Sequence, residues 1–152
     1  MSEVIIAGIG QTEVGEHWDI GLRELAFAAI QNAVNDSGGL KPQSLFVGNM
    51  LAPNLSNQAH LGVLLADYAG LLGIEAVTLE AAGASGGAAL RQGYLAIASG
   101  MVDVALVVDP MLATGGSATA ALEAMKRWGV PKWKVLSIIA SQAGVEAVRE
   151  TF

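Results

Sequence analysis

The chain has 152 residues, the length of one domain with a sizeable core. Its formal net charge of -6 disfavours nucleic acid or a membrane surface as a partner, because eight basic residues among fourteen acidic ones form a basic patch only if they are strongly segregated. The chain has no cysteine, which excludes disulfides, thiolate metal sites and a cysteine nucleophile. It also lacks an apolar run of about 18 residues and a basic segment at Met1–Val4, so we expect a cytoplasmic protein.

The sequence alternates apolar runs with amphipathic segments five times. Continuous runs of Val, Ile, Leu and Ala are typical of strands buried on both faces, and apolar positions spaced by 3.6 residues indicate helices. The predicted strands are Val4–Ile9, Leu45–Met50, Ala76–Ala81, Val102–Val108 and Lys134–Ile139. The predicted helices are Leu22–Val34, Gln58–Leu72, the segment between Gly87 and Gly100, Ser117–Trp128 and Ala143–Thr151.

This alternation predicts a single α/β domain over residues 1–152. We expect a three-layer α/β/α, Rossmann-like fold whose five-stranded parallel sheet is doubly wound in the order 3-2-1-4-5. The third strand lies at an edge in that order, and it is apolar enough to pair with a second copy as a homodimer. Glu80 is unusual near the end of such a strand.

The turn after the fourth predicted strand is a candidate anion site. Asp109 ends the strand, and Thr114, Gly115, Gly116 and Ser117 open the next helix. Amides at a helix N-terminus attract phosphate or sulfate, and glycines let the backbone approach the ion. The expected binding is weak, and a capped turn without a ligand remains an alternative.

The second glycine-rich turn, Gly83–Gly87, precedes the third helix on the same predicted edge of the sheet. It is a weaker candidate for anion binding. We interpret Ser85 as a helix N-cap, because a cap alone accounts for it. His17 and His60 stand far apart in the sequence and are too few for a metal site, so no metal and no cofactor are expected.

Up to about Val108, the chain resembles the amino-terminal half-domain of thiolases of the sterol-carrier-protein type (acetyl-CoA acetyltransferases). The similarity is carried by Val4–Thr12, Leu22–Ala26, Gly48–Met50 and, most specifically, Glu80–Ala89. In that family the position of Gly83 holds the nucleophilic cysteine. The resemblance therefore implies a thiolase-like segment without its nucleophile. It also implies that a catalytic histidine, a second cysteine and coenzyme A contacts come from sequence that this chain does not contain.

From about Val107 onward the chain instead resembles the carboxy-terminal part of uracil phosphoribosyltransferases. Val108–Ala118 matches that family's phosphoribosyl-diphosphate loop, and Val135–Ala140 with Gly144–Val148 continues the match. The resemblance implies that Asp109 faces the ribose hydroxyls and that Thr114–Ser117 hold the 5'-phosphate. It further implies that the uracil-recognising segment and the basic diphosphate-binding residues are missing. Ser141–Ala143 also departs from the family's Ala-Pro-Glu.

Two family signatures that meet within one strand favour a chimera of a thiolase-like segment, 1–108, and a phosphoribosyltransferase-like segment, 109–152. A crossover in Val107–Val108 would preserve the strand and the hand of its connections, because both segments have α/β patterns. We therefore expect an engineered or recombined scaffold without catalytic activity that retains weak phosphate binding. The alternative is a phosphoribosyltransferase-like enzyme that uses phosphoribosyl diphosphate.

Overall fold

The computed structural model describes residues 4–13 and 17–109. The elements in this part of the chain are α1 (Leu22–Asp36), β1 (Ser44–Gly48), α2 (Ala52–Leu55), α3 (Leu61–Tyr68), β2 (Glu75–Leu79), α4 (Ser85–Ala98) and β3 (Ala105–Val108). The three strands form an open, parallel sheet in the order β2-β1-β3. Phe46 at the middle of β1 is in register with Val77 of β2 and Val107 of β3.

Strand β1 forms the centre of the core. All five of its residues are buried, which is why its three central residues, Leu45–Val47, are apolar without alternation. Leu45 and Val47 pack with α1 and α3 on one face of the sheet. Phe46 packs with α4 on the other face, against Ala89 and Ala96. The described residues thus form helix, sheet and helix layers, as the composition predicted.

The order of the described sheet corrects the predicted order 3-2-1-4-5. Residues predicted as the second and fourth strands pair directly, as β1 and β3, so the first predicted strand does not lie between them. The segment Val4–Ile9 lies outside the described strands. The predicted fifth strand, Lys134–Ile139, and the two predicted helices around it are outside the described residues.

The amino-terminal segment packs against α1 instead, and its glycines explain this position. A Cβ atom built at Gly8 would lie 2.5 Å from the carbonyl oxygen of Ala33, and one built at Gly10 would collide with the carbonyl oxygen of Ala29. The backbone N–H of Ile9 donates to Oδ2 of Asp36 over 2.8 Å. Glycine at positions 8 and 10 therefore permits a close contact with the helix that a larger residue would prevent.

The predicted helix ends are confirmed for α1 and α4. The chain leaves α1 through Gly38, at φ +78°, and leaves α4 through Gly100, at φ +75°, a region that favours glycine. The predicted helix Gln58–Leu72 is shorter in the structure. It begins only at Leu61, because His60 has a left-handed backbone conformation at φ +57°. None of the helices in the described residues is long and apolar enough to cross a bilayer.

A polar cluster marks the first turn of α1. Nε of Arg23 lies 3.2 Å from Oε1 of Glu24, and the Arg23 guanidinium lies 5.5 Å from the centre of the Tyr68 ring. A hydrogen bond with its own backbone lowers the pKa of Glu24, and Arg23 and the Tyr68 hydroxyl lower it further. The ionised form of Glu24 is therefore favoured in the fold. Ionised Glu24 therefore stabilises the fold at neutral pH, and this stabilisation is lost as the pH falls through the lowered pKa of Glu24.

We predict that Gly10→Ala lowers the free energy of unfolding by about 1–3 kcal/mol, because the added methyl group has to displace α1. Chemical denaturation followed by circular dichroism measures this change. Gly83→Ala is the matched control, because no described atom outside its chain neighbours lies within 4 Å of a Cβ built there. Equal midpoints for Gly10→Ala and the parent chain would contradict the close packing of this segment on α1.

Candidate functional site at the carboxyl edge of the sheet

The carboxyl ends of the three parallel strands meet at one edge of the sheet. There the backbone N–H of Asn49, which follows β1, donates to the carbonyl oxygen of Leu79 at the end of β2 over 3.0 Å. Oδ1 of Asn49 accepts a hydrogen bond from the N–H of Ala52 over 2.7 Å. This edge is where α/β proteins usually bind ligands, because helix N-termini and loops collect there.

A tight turn follows β2 and leads into α4. Glu80 folds back, and its Oε1 accepts a hydrogen bond from the N–H of Ala82 over 2.8 Å. Ala82 has a left-handed conformation at φ +49°, which is uncommon for a residue with a side chain. The N–H of Ala84 donates to the carbonyl oxygen of Ala81 over 2.9 Å. The acid that is unusual in the sequence of the strand therefore stabilises this turn.

The hydroxyl of Ser85 stabilises the same turn. Its Oγ accepts a hydrogen bond from the N–H of Ala81 over 2.9 Å and donates one to the carbonyl oxygen of Ala82 over 2.7 Å. The prediction that Ser85 caps the helix is wrong in detail. The N-cap residue of α4 is Ala84, which makes no side-chain cap hydrogen bond, and Ser85 is the first helical residue.

Gly83 lies within this turn, two residues before α4. Its φ angle is outside the left-handed region in which Gly38, Gly70 and Gly100 lie. No described atom outside its chain neighbours would come within 4 Å of a Cβ at this position. Neither backbone conformation nor space in the described structure therefore requires glycine here. A Cβ would fit at this position among the described residues.

The structure brings Asp109 to the start of α4. A Cβ built at Gly86 would collide with Oδ2 of Asp109, and one built at Gly48 would collide with the carbonyl oxygen of Ser85. Gly86 and Gly48 thus let the first turn of α4 pack closely on the ends of β1 and β3. The Asp109 carboxylate lies near the positive end of the helix dipole, a favourable position for a negative charge.

No local sequence pattern predicts this proximity of Asp109 and Gly86. The consecutive glycines at positions 86 and 87, in the first turn of a helix, were a signal of close approach. The two glycines do not indicate which residue approaches the helix, because Asp109 is 23 residues away from Gly86 in the sequence.

The other predicted site residues do not join this edge in the described structure. Thr114, Gly115, Gly116 and Ser117 lie outside the described residues. Nε2 of His17 is 2.9 Å from the backbone oxygen of Glu13, and His60 precedes α3. Within residues 4–13 and 17–109, no group of three His, Asp or Glu side chains could hold a metal ion.

Comparison with known proteins gives two different similarities. The chain is 40% identical over 121 residues to acetyl-CoA acetyltransferase of Methanothermobacter thermautotrophicus, an alignment that covers 72% of this chain and 32% of that protein. It is 44% identical over 109 residues to acetyl-CoA acetyltransferase of Methanocaldococcus jannaschii, which covers 70% of this chain and 28% of that protein. The chain thus spans about a third of the length of these relatives.

The second similarity lies in the carboxy-terminal segment. The family model of uracil phosphoribosyltransferase matches residues 95–152. Uracil phosphoribosyltransferase of Roseiflexus castenholzii is 55% identical over 49 residues, which cover 32% of this chain and 24% of that protein.

The two similarities overlap. The acetyltransferase alignment and the family model together exceed the length of the chain, and the family model begins at residue 95, inside α4. The predicted change from thiolase-like to phosphoribosyltransferase-like sequence at Val107–Val108 is therefore a zone, in which the chain is similar to both families. The chain combines an acetyl-CoA acetyltransferase-like segment with a uracil phosphoribosyltransferase-like segment, and this combination supports a mixed origin.

Proposed function

We propose that the chain is an engineered or recombined α/β scaffold that does not catalyse acyl transfer. The observation that carries this proposal is Gly83, which occupies the position of the nucleophilic cysteine in the thiolase resemblance. Acyl transfer through a covalent intermediate needs a side chain that can attack a carbonyl carbon, and glycine has none.

The hydroxyl of Ser85, two residues after Gly83 in the sequence, does not replace the missing thiol. Ser85 uses its Oγ as both acceptor and donor in hydrogen bonds with the backbone of Ala81 and Ala82. Attack by this oxygen would require a base to take its proton, and its proton is directed at the Ala82 carbonyl oxygen. The geometry of this turn therefore supports a structural role for Ser85.

We expect no condensation or thiolysis with acetyl-CoA and acetoacetyl-CoA, and no formation of uridine monophosphate from uracil and phosphoribosyl diphosphate. Coenzyme A release and diphosphate release are the measurements. Release of diphosphate that depends on uracil and is lost in Asp109→Asn would overturn this proposal. The Asp109→Asn variant keeps the size of the side chain and removes its charge, so unchanged circular dichroism would separate lost activity from lost folding.

The phosphoribosyltransferase-like enzyme is the second candidate. It is favoured by the family match over residues 95–152 and by the position of Asp109 at the carboxyl edge of the sheet. In that candidate Asp109 contacts the ribose hydroxyls, and Thr114–Ser117 hold the 5'-phosphate. The diphosphate-release experiment separates the two candidates.

We further propose that Thr114–Ser117 bind phosphate or sulfate weakly, through amides at a helix N-terminus. Titration with phosphate should shift the amide NMR signals of Gly115, Gly116 and Ser117 first. Sodium chloride at matched ionic strength is the control for screening. Unchanged signals at high phosphate concentration, or shifts confined to Gly83–Gly87, would contradict this site.

The edge position of β2 supports a homodimer. Strand β2 has one neighbour in the described sheet, so its other edge can pair with β2 of a second copy. We expect light scattering to show a mass that rises toward twice that of the chain as concentration increases. Hydrogen exchange of the Glu75–Leu79 amides should become slower as the protein concentration rises. A constant monomer mass would contradict the dimer.

A further inference from the structure

Helix α3 is held at both ends by side-chain contacts with other elements. It has eight residues, fewer than the roughly 12–15 that an isolated helix needs in water. Among the described residues its N-cap, His60, makes no side-chain cap hydrogen bond, and Oγ1 of Thr78 in β2 instead accepts one from the N–H of Gly62 over 2.8 Å. At the carboxyl end the last residue, Tyr68, contacts α1. The contacts of Tyr68 therefore hold this end of α3 in place.

Three side chains of α1 contact Tyr68. The centres of the Phe27 and Tyr68 rings lie 5.6 Å apart in an edge-to-face arrangement, which is favourable for aromatic pairs. The guanidinium of Arg23 lies 5.5 Å from the centre of the Tyr68 ring, within the range of a cation–π interaction. The Tyr68 hydroxyl donates a hydrogen bond to Oε1 of Glu24 over 3.4 Å. These three residues of α1 and Tyr68 form what we call the Tyr68 cluster.

Glu24 connects the Tyr68 cluster to the amino end of α1. Its Oε1, the acceptor for Tyr68, also lies 3.2 Å from Nε of Arg23. Its Oε2 is folded back over the N-cap residue, because a Cβ built at Gly21 would lie 2.5 Å from this oxygen. Gly21 has no side chain that could cap the helix, and a carboxylate in the first turn is favoured by the positive end of the helix dipole. One carboxylate thus interacts with the helix end, with Arg23 and with Tyr68.

We propose that Glu24 is an acid-sensitive switch for the attachment of α3: the ionised carboxylate holds the carboxyl end of α3 against α1, and protonation loosens it. A neutral carboxyl group no longer attracts Arg23 and loses its interaction with the helix dipole. The Arg23 side chain is 55% exposed, so water competes for the released guanidinium and weakens its position over the Tyr68 ring. The contact with Phe27 is uncharged and remains, so α3 loosens without detaching.

The groups around Glu24 determine the pH range of this change. A hydrogen bond with its own backbone lowers the pKa of Glu24 most, and Arg23 and the Tyr68 hydroxyl lower it further. Asp67 on α3 and Asp19 before α1 are the nearest other acids in the sequence, and in the described structure neither shifts this pKa. A lowered pKa in the fold means that the stabilisation is present at neutral pH and is lost as the pH falls through that pKa. The switch therefore operates below the ordinary pKa of a glutamate.

An NMR titration of the Tyr68 ring protons in the full-length chain tests the proposal. We expect one inflection below the ordinary pKa of glutamate, because the ring senses the charge of Glu24. It should be absent in Glu24→Gln, which keeps the size of the side chain and removes its charge. Asp67→Asn is the matched control, because it neutralises the acid next to Tyr68 and should leave the inflection unchanged.

Three results of this titration would overturn the proposal. An inflection that persists in Glu24→Gln would show that another group titrates. An inflection that disappears in Asp67→Asn would assign the effect to Asp67. An inflection that coincides with the loss of circular dichroism would report global unfolding instead of a local change at Tyr68.

Hydrogen exchange tests whether the switch acts on α3 itself. At neutral pH, Glu24→Gln should lower the protection of the Leu65–Ala69 amides by about two- to fivefold, the effect expected for an exposed charge pair. In acid, well below the ordinary glutamate pKa, the variant and the parent chain should be equally protected. Glu75→Gln is the control for the same chemical change outside the Tyr68 cluster. Equal protection of Glu24→Gln and the parent chain at neutral pH, or a difference that persists in acid, would overturn the proposal.

Discussion

The burial of β1 on both faces is the constraint on which the described structure depends. All five residues of this strand are buried, so helices have to cover both sides of the sheet. Close packing on β1 then restricts its neighbours: Gly48 admits the backbone of Ser85, and Gly93 of α4 leaves room for the side chain of Val107. The position of α4, and with it the turn at the carboxyl edge, follows from these contacts.

The candidate site at this edge is built from backbone contacts. Glu80 and Ser85 stabilise the turn, and Asp109 lies against Gly86 at the start of α4. The negative charge of the Asp109 carboxylate partly compensates the positive end of the α4 helix dipole. Gly83 adds no side chain to this arrangement, although the described structure has space for a Cβ atom there. Gly83 therefore contributes no nucleophilic side chain to this turn.

The overlap of the two similarities lies in a definite part of the fold. Both extend over the end of α4 and over β3, in which Leu106 and Val108 are buried. Such a strand requires an apolar sequence and a partner on its inner edge, and β3 of this chain has both. Parallel pairing depends on backbone groups, so the pairing of β3 with β1 tolerates different apolar sequences within this zone.

The sequence by itself determined the α/β class, the ends of α1 and α4 and the absence of a cysteine nucleophile, because hydrophobic period, glycine and residue type are local properties. Only the tertiary structure decided that residues 44–48 pair directly with residues 105–108 and that Asp109 lies against Gly86. It also decided that Val4–Ile9, an apolar run typical of a strand, packs on α1 outside the described sheet. Strand order depends on contacts between distant segments, and no local pattern encodes them.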